Sequence, residues 1–79
     1  MSLRVEWTPN AERGVRAILS WRVAADVCEA VLAFASTGVG RVVHVRGRDF
    51  DLHVAGHSAR IEVDGDRLIV WAVWPNRAA

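Results

Sequence analysis

The fold is decided by residues 50–77, which read FDLHVAGHSARIEVDGDRLIVWAVWPNR. Hydrophobic and polar side chains alternate in the first two apolar runs, which contain Phe50, Leu52 and Val54, then Ala59, Ile61 and Val63. Alternation with a period of two is typical of strands that bury one face. Asp64-Gly65 follows the second run. Asp-Gly between such runs predicts a type I′ hairpin turn, in which both central residues have positive φ.

The third run, residues 68–74, is apolar at every position, and Pro75 ends it. As a regular strand it would place side chains on two faces: Ile69, Trp71 and Val73 on one, Leu68, Val70, Ala72 and Trp74 on the other. Two short helices cover only one side of a small sheet, so the second apolar face needs another cover. We therefore expect self-association, most simply as a homodimer.

The first half of the chain predicts a strand followed by two helices. Residues 3–7 alternate like a strand, and Thr8-Pro9 supplies an N-cap and a proline at the first helical position. The first helix is expected to bury one stripe, made of Ala11, Val15, Ile18 and Leu19. Ser20 is interpreted as the cap of a second helix over residues 23–35, which Gly38 ends. The alternative is one helix through residues 9–36.

Residues 41–46 predict a further strand, which completes the order β-α-α-β-β-β-β. We expect one α+β domain over residues 1–79, with an N-terminal strand, a helical hairpin and then a four-stranded, mostly antiparallel sheet.

Composition narrows the class of protein. The chain has 79 residues and a net charge of +1, so no strong overall field attracts nucleic acid. All ten basic residues are arginine, which suits phosphate binding but also a GC-rich genome. The single cysteine, Cys28, excludes an internal disulfide and a cysteine-based zinc site. Neither a signal peptide nor a membrane span is visible, so we expect a cytoplasmic protein without a cofactor.

The pattern of residues 50–77 resembles the RelE/ParE toxin superfamily of bacterial toxin–antitoxin systems. The resemblance rests on a strand, a glycine-containing turn, a strand centred on Arg60, a tight turn, and an apolar strand followed by Arg77. It implies the toxin of a toxin–antitoxin module, which binds a cognate antitoxin and acts on messenger RNA in the ribosome. Other members of the superfamily act on DNA gyrase. A third alternative is a non-catalytic interaction domain, in a homodimer or an antitoxin complex. Asp51 and His53, at positions where RNA-cutting members carry lysines, favour this last alternative.

RNA cleavage through a 2′-hydroxyl needs a base, an acid and cations beside the phosphate. His53 is the candidate base and His57 the candidate acid, because imidazole titrates near neutral pH. Arg60 and Arg77, which match the two arginine positions of the superfamily, are expected to hold the phosphate. The expected substrate-binding residues are Arg46, Arg48 and Trp71. The alternative is that the arginines and histidines are solvated and that Trp71 contacts a protein partner. Three scattered histidines predict no metal site.

Overall fold

Seven elements follow one another in the order that the sequence predicts. The computed structural model describes residues 2–76, and its elements are β1 (Arg4–Trp7), α1 (Pro9–Arg16), α2 (Trp21–Thr37), β2 (Val42–Arg46), β3 (Asp49–Val54), β4 (His57–Asp64) and β5 (Arg67–Pro75). The strands form one sheet in the order β1-β5-β4-β3-β2. The predicted α+β architecture is confirmed. The sheet has five strands rather than four because β1 joins it, parallel to β5.

The helical segment is two helices, each with its own N-cap. The Thr8 hydroxyl accepts a hydrogen bond from the Ala11 amide at 3.1 Å, and the Ser20 hydroxyl accepts one from the Val23 amide at 3.3 Å. These bonds satisfy backbone donors that have no partner inside a helix. Leu19 lies between the helices and is fully exposed, so its predicted place on the buried stripe is wrong. Neither helix is long and apolar enough to cross a membrane.

The helices cover one side of the sheet. Apolar side chains from α1, α2 and the three central strands form the core, which includes Ala11, Val27, Val31, Ala35, Leu52, Ile61, Leu68 and Val70. Because side chains alternate along a strand, the intervening residues project from the other side. We call that side the open face; on the three central strands it carries Asp51, His53, Ser58, Arg60, Glu62, Ala72 and Trp74.

The turn between β4 and β5 lies one residue later than predicted. Asp64 pairs with Arg67, so the two loop residues are Gly65 and Asp66. Gly65 has φ 62°, whereas Asp66 is not among the described residues with positive φ. Positive φ at the first central position alone is the type II′ pattern, so the predicted type I′ turn at Asp64-Gly65 is wrong. A turn with positive φ at both residues occurs instead between β3 and β4, at Ala55 and Gly56.

The third apolar run is not a regular strand. Arg60 pairs with Ala72 but Ile61 pairs with Val70, which leaves Trp71 as an extra residue in β5. Such a bulge shifts the alternation, so Val73 lies in the core with Val70 rather than on the opposite face. The faces predicted for residues 68–74 are therefore wrong from Ala72 onward, whereas Trp71 shares the open face with Ile69 as predicted. Ile69, which shares the open face, is only 8% exposed and so is covered from within the chain, whereas Trp71 on the same face remains 45% exposed.

Candidate active site on the open face

Strand register brings two candidate residues to one end of the open face. Asp51 lies opposite Arg60, and His53 lies opposite Ser58. On antiparallel strands, diagonal neighbours on one face are about 7–8 Å apart. His53 and Arg60 are such neighbours, so the candidate base and one candidate phosphate ligand share this end of the sheet.

His53 is held by a short chain of hydrogen bonds. Its Nδ1 lies 2.9 Å from the Ser58 hydroxyl, and that hydroxyl donates to the Asn76 side-chain oxygen at 2.6 Å. Ser58 is only 2% exposed. Asn76 is fixed in turn by a hydrogen bond from its backbone amide to the Gly56 carbonyl at 2.8 Å. The imidazole is thus oriented through Nδ1, and Nε2 has no hydrogen-bond partner among the described residues.

Arg60 is positioned by a carboxylate and an aromatic ring. Its Nε donates to Asp51 Oδ1, and its Nη2 donates to Asp51 Oδ2 at 3.3 Å. The guanidinium carbon lies 5.7 Å from the ring centre of Trp74. The hydrogen bond with Asp51 raises the pKa of Arg60 above its ordinary value. A guanidinium has five N–H donors, so three remain for another anion.

The other end of the open face is a network of paired charges. Arg67 donates to Asp64 at 2.8 Å and to Glu6 at 3.3 Å, and its pKa is raised first by the bond with Asp64. Arg48 donates to the same Asp64 at 3.0 Å and lies 3.4 Å from Glu62. These carboxylates already neutralise the arginines, so this end offers little free positive charge to a nucleic acid.

Trp71 belongs to the same network. Its indole N–H donates to Glu62 at 2.9 Å, and its side chain is 45% exposed. Arg46 and Arg48 lie together at the β2–β3 turn, where they line a shallow cavity with Asp49 and Glu62. Asp49 is four residues before His53 on β3, which corresponds to about 13 Å along a strand. The structure therefore does not bring Arg46 and Arg48 to the His53 end.

His57 lies on the helix side of the sheet. Because it directly precedes Ser58 on β4, its side chain points to the opposite face. There it lines a cavity between the helices and the end of β5, and its Nδ1 donates to the Ala55 carbonyl at 3.0 Å. His57 and His53 are not brought together, so His57 is not placed to act as the acid beside His53. The candidate Arg77 lies outside the described residues.

Four residues that contribute to the His53 end of the open face were not predicted from the sequence: Asp51, Ser58, Trp74 and Asn76. None has a local signal, because each acts through a residue on another strand. Knowledge of the turn between β3 and β4 would have predicted two of them, Ser58 and Asp51. A two-residue loop at Ala55-Gly56 pairs outward along both strands, so that Ser58 faces His53 and Asp51 faces Arg60.

The described residues contain no group of three side chains suited to hold a metal ion. No family model matches the chain, and no curated protein matches it in sequence.

Solved structures, however, share its fold. A chain of the RelBE2 toxin–antitoxin complex of Mycobacterium tuberculosis is 18% identical and has a TM-score of 0.70, over 98% of this chain and 100% of that chain. A chain of the RelB–RelE antitoxin–toxin complex of Methanococcus jannaschii is 16% identical and has a TM-score of 0.65, over 89% and 88%. This protein therefore has the fold of a chain found in RelBE complexes.

Proposed function

We propose that this protein is the toxin component of a bacterial toxin–antitoxin module and that an antitoxin protein binds it. The observation that carries the proposal is the likeness to chains solved in toxin–antitoxin complexes, which extends over nearly the whole chain.

Exposed apolar side chains at the tip of the helical hairpin favour the binding of a protein partner. Leu19 is fully exposed and Trp21, two residues later, is 76% exposed. Exposed apolar surface of this kind marks a site of protein–protein interaction when it is continuous. Leu19 lines an apolar cavity of about 320 Å³, together with Ile18, Val23 and Pro75 among others. A partner helix or strand with apolar side chains would bury this surface, and tryptophan is enriched among residues that dominate binding.

The test is co-expression with the product of the neighbouring reading frame. Expression of this chain alone should slow bacterial growth, and co-expression should restore growth and yield a complex that purifies as one species. Trp21→Ala should weaken the complex at least about tenfold, since a dominant interface residue contributes more than about 1.4 kcal/mol. Leu32→Ala is the matched control, because Leu32 is an exposed apolar residue of the same helix that lies about 16 Å along α2 from Trp21, away from the hairpin tip. Normal growth and no complex would contradict the proposal.

A second function, cleavage of RNA, is favoured by the positioned pair His53 and Arg60. In the proposed reaction Nε2 of His53 takes the proton of an RNA 2′-hydroxyl, whose oxygen forms a bond to phosphorus. The bond from phosphorus to the 5′-oxygen breaks, the leaving oxygen takes a proton from water, and the hydroxide that remains takes back the proton from His53. The products are a 2′,3′-cyclic phosphate and a 5′-hydroxyl. Arg60, whose charge Asp51 already balances, donates hydrogen bonds to the phosphoryl oxygens from its remaining N–H groups.

The paired charges elsewhere on the face limit how RNA reaches this site. Because Arg48 and Arg67 already contact carboxylates, free RNA gains little electrostatic attraction. We therefore expect cleavage of messenger RNA presented by the ribosome and little cleavage of free RNA.

The reaction is tested by adding purified protein to ribosomes that carry a defined messenger. His53→Gln should lower the cleavage rate by about 10²-fold or more, as the loss of a general base does. His44→Gln is the control, since His44 pairs with Phe50 and so lies off the open face. A 2′-deoxy substitution at the cleaved position should block the reaction. Cleavage that survives either His53→Gln or the deoxy substitution would contradict this mechanism.

A further inference from the structure

We propose that Ser58 and Asn76 are positioning residues that hold His53 as its Nδ1–H tautomer, so that Nε2 is the proton-accepting atom on the open face. The inference rests on the RNA-cleaving function proposed above, although its first test does not need activity. It follows from counting the hydrogens in the chain of bonds from His53 through Ser58 to Asn76.

Asn76 determines which groups donate and which accept in this series of hydrogen bonds. Its Oδ1 lies 2.6 Å from the Ser58 hydroxyl, and a carbonyl oxygen can only accept. The single hydroxyl hydrogen of Ser58 is therefore used in this bond. The backbone amide of Asn76 donates to Gly56, which anchors the acceptor at the end of β5.

The tautomer of His53 then follows. The Ser58 oxygen lies 2.9 Å from Nδ1 of His53 and has no second hydrogen to give, so it accepts there and Nδ1 donates. A neutral imidazole carries one N–H, which leaves Nε2 unprotonated. The reverse order of donors, with the Asn76 amide donating to Ser58, would place the proton on Nε2 and remove the base.

Burial separates this role from that of a nucleophile. Ser58 is 2% exposed and its hydrogen is directed to Asn76, away from the imidazole. A nucleophilic serine needs the opposite arrangement, in which its hydroxyl donates to the histidine and its oxygen faces substrate. Ser58 therefore acts through His53, as an orienting group acts behind a general base.

The first test is nitrogen-15 NMR of the histidine side chains in the full chain, without RNA, at a pH about two units above the ordinary histidine pKa of about 6.5. His53→Gln assigns the His53 signals. We expect the wild-type protein to show His53 as the Nδ1–H form. Ser58→Ala should make Nε2–H the major form, and Ser58→Thr should restore Nδ1–H because it keeps the hydroxyl.

Asn76→Ala is an independent variant at an exposed position, for use if Ser58→Ala does not fold. It frees the Ser58 hydrogen to donate to Nδ1, so the Nδ1–H form should fall in the same way. Wild-type His53 in the Nε2–H form, or an unchanged tautomer in both variants, would overturn the inference.

Kinetics separate this inference from the reaction itself. If the protein cleaves RNA, Ser58→Ala should lower kcat by about 10-fold to 10²-fold with little change in KM, because the base is misplaced while phosphate binding is kept. Ser58→Thr should recover most of kcat. If the Nδ1–H form is seen but no RNA is cleaved under any condition, the proposed reaction fails and the positioning of His53 stands.

Discussion

Gly14 lies where α1 meets β5. Its replacement by alanine distinguishes two opposite predictions for the stability of the protein, one from helix propensity and one from packing. In an isolated helix, alanine is more favourable than glycine by about 1 kcal/mol, so propensity alone predicts that Gly14→Ala stabilises the protein. In the structure, a Cβ at position 14 would overlap the Val73 carbonyl oxygen and lie 3.1 Å from the Val73 Cβ. That oxygen belongs to the sheet backbone, so it cannot move as a flexible side chain would.

The cost follows from the distance that α1 must move. Non-bonded atoms prefer separations of about 3.5–4 Å, so the helix must retreat by on the order of 1 Å, which weakens its other contacts with the sheet. Insertion of a methyl group into a packed core typically costs about 1–3 kcal/mol. The overlap with backbone places Gly14→Ala toward the upper end of that range. After the gain in helix propensity, we expect a net loss of about 1–2 kcal/mol in the free energy of unfolding.

Urea unfolding followed by tryptophan fluorescence measures this loss. With a slope of about 1 kcal/mol per molar urea, the midpoint should fall by roughly 1–2 M. Gly40→Ala is the matched control, because its Cβ would meet only side-chain atoms, the nearest being Leu52 Cδ1 at 3.0 Å, and needs a side-chain shift of a few tenths of an ångström rather than movement of the sheet backbone. A Gly14→Ala midpoint equal to or above that of the wild type would show that α1 is not held at this distance and would refute the packing argument.

Further predictions concern the cap, the turn, an ion pair and self-association. Thr8→Ala should lower the free energy of unfolding by about 1 kcal/mol through loss of the α1 cap, and Thr8→Ser should recover most of it in the same urea assay. Gly65→Val should cost more than about 1 kcal/mol, because a β-branched side chain is strained at the φ of 62°; an unchanged midpoint would exclude this turn geometry. The hydrogen bond from Arg4 lowers the pKa of Asp66 below its ordinary 3.8, so the contribution of this pair is complete above about pH 4 and is lost as pH falls below it. Asp66→Asn should therefore flatten the dependence of stability on pH in that acidic range only. If the protein forms a homodimer through the open face, Trp71→Arg should give a folded monomer by light scattering; a wild-type monomer at high micromolar concentration would contradict the dimer.

Much of the fold could be predicted because its signals are local. Alternation in β3 and β4 depends only on residues two apart, and the caps at Thr8 and Ser20 depend only on the next three residues. The turn after β4 was predicted one residue too early because its local signal was assigned to the wrong turn type. Asp-Gly is the signal for a type I′ turn with glycine second, whereas here Gly65 comes first, as a type II′ turn requires.

The candidate site was less predictable because it depends on register. His53 was identified from its residue type and Arg60 from the resemblance to the superfamily, but their surroundings were not predicted. Whether Arg60 meets a carboxylate or a free phosphate is decided by Asp51 on the neighbouring strand, and the pairing is visible only once the strands are aligned. His57 shows the same limit, since a shift of one residue moves a side chain to the other face.

The bulge at Trp71 connects the fold to this site. In a run where every residue is apolar, alternation carries no information about faces, so no pattern in residues 68–74 marks an extra residue. Without the bulge, Trp74 would share the core face with Val70, and Val73 would project beside Arg60. The extra residue reverses this, so that Trp74 contacts the Arg60 guanidinium on the open face while Val73 packs under Gly14. One inserted residue in β5 therefore sets both the close approach of α1 and the aromatic ring that positions Arg60.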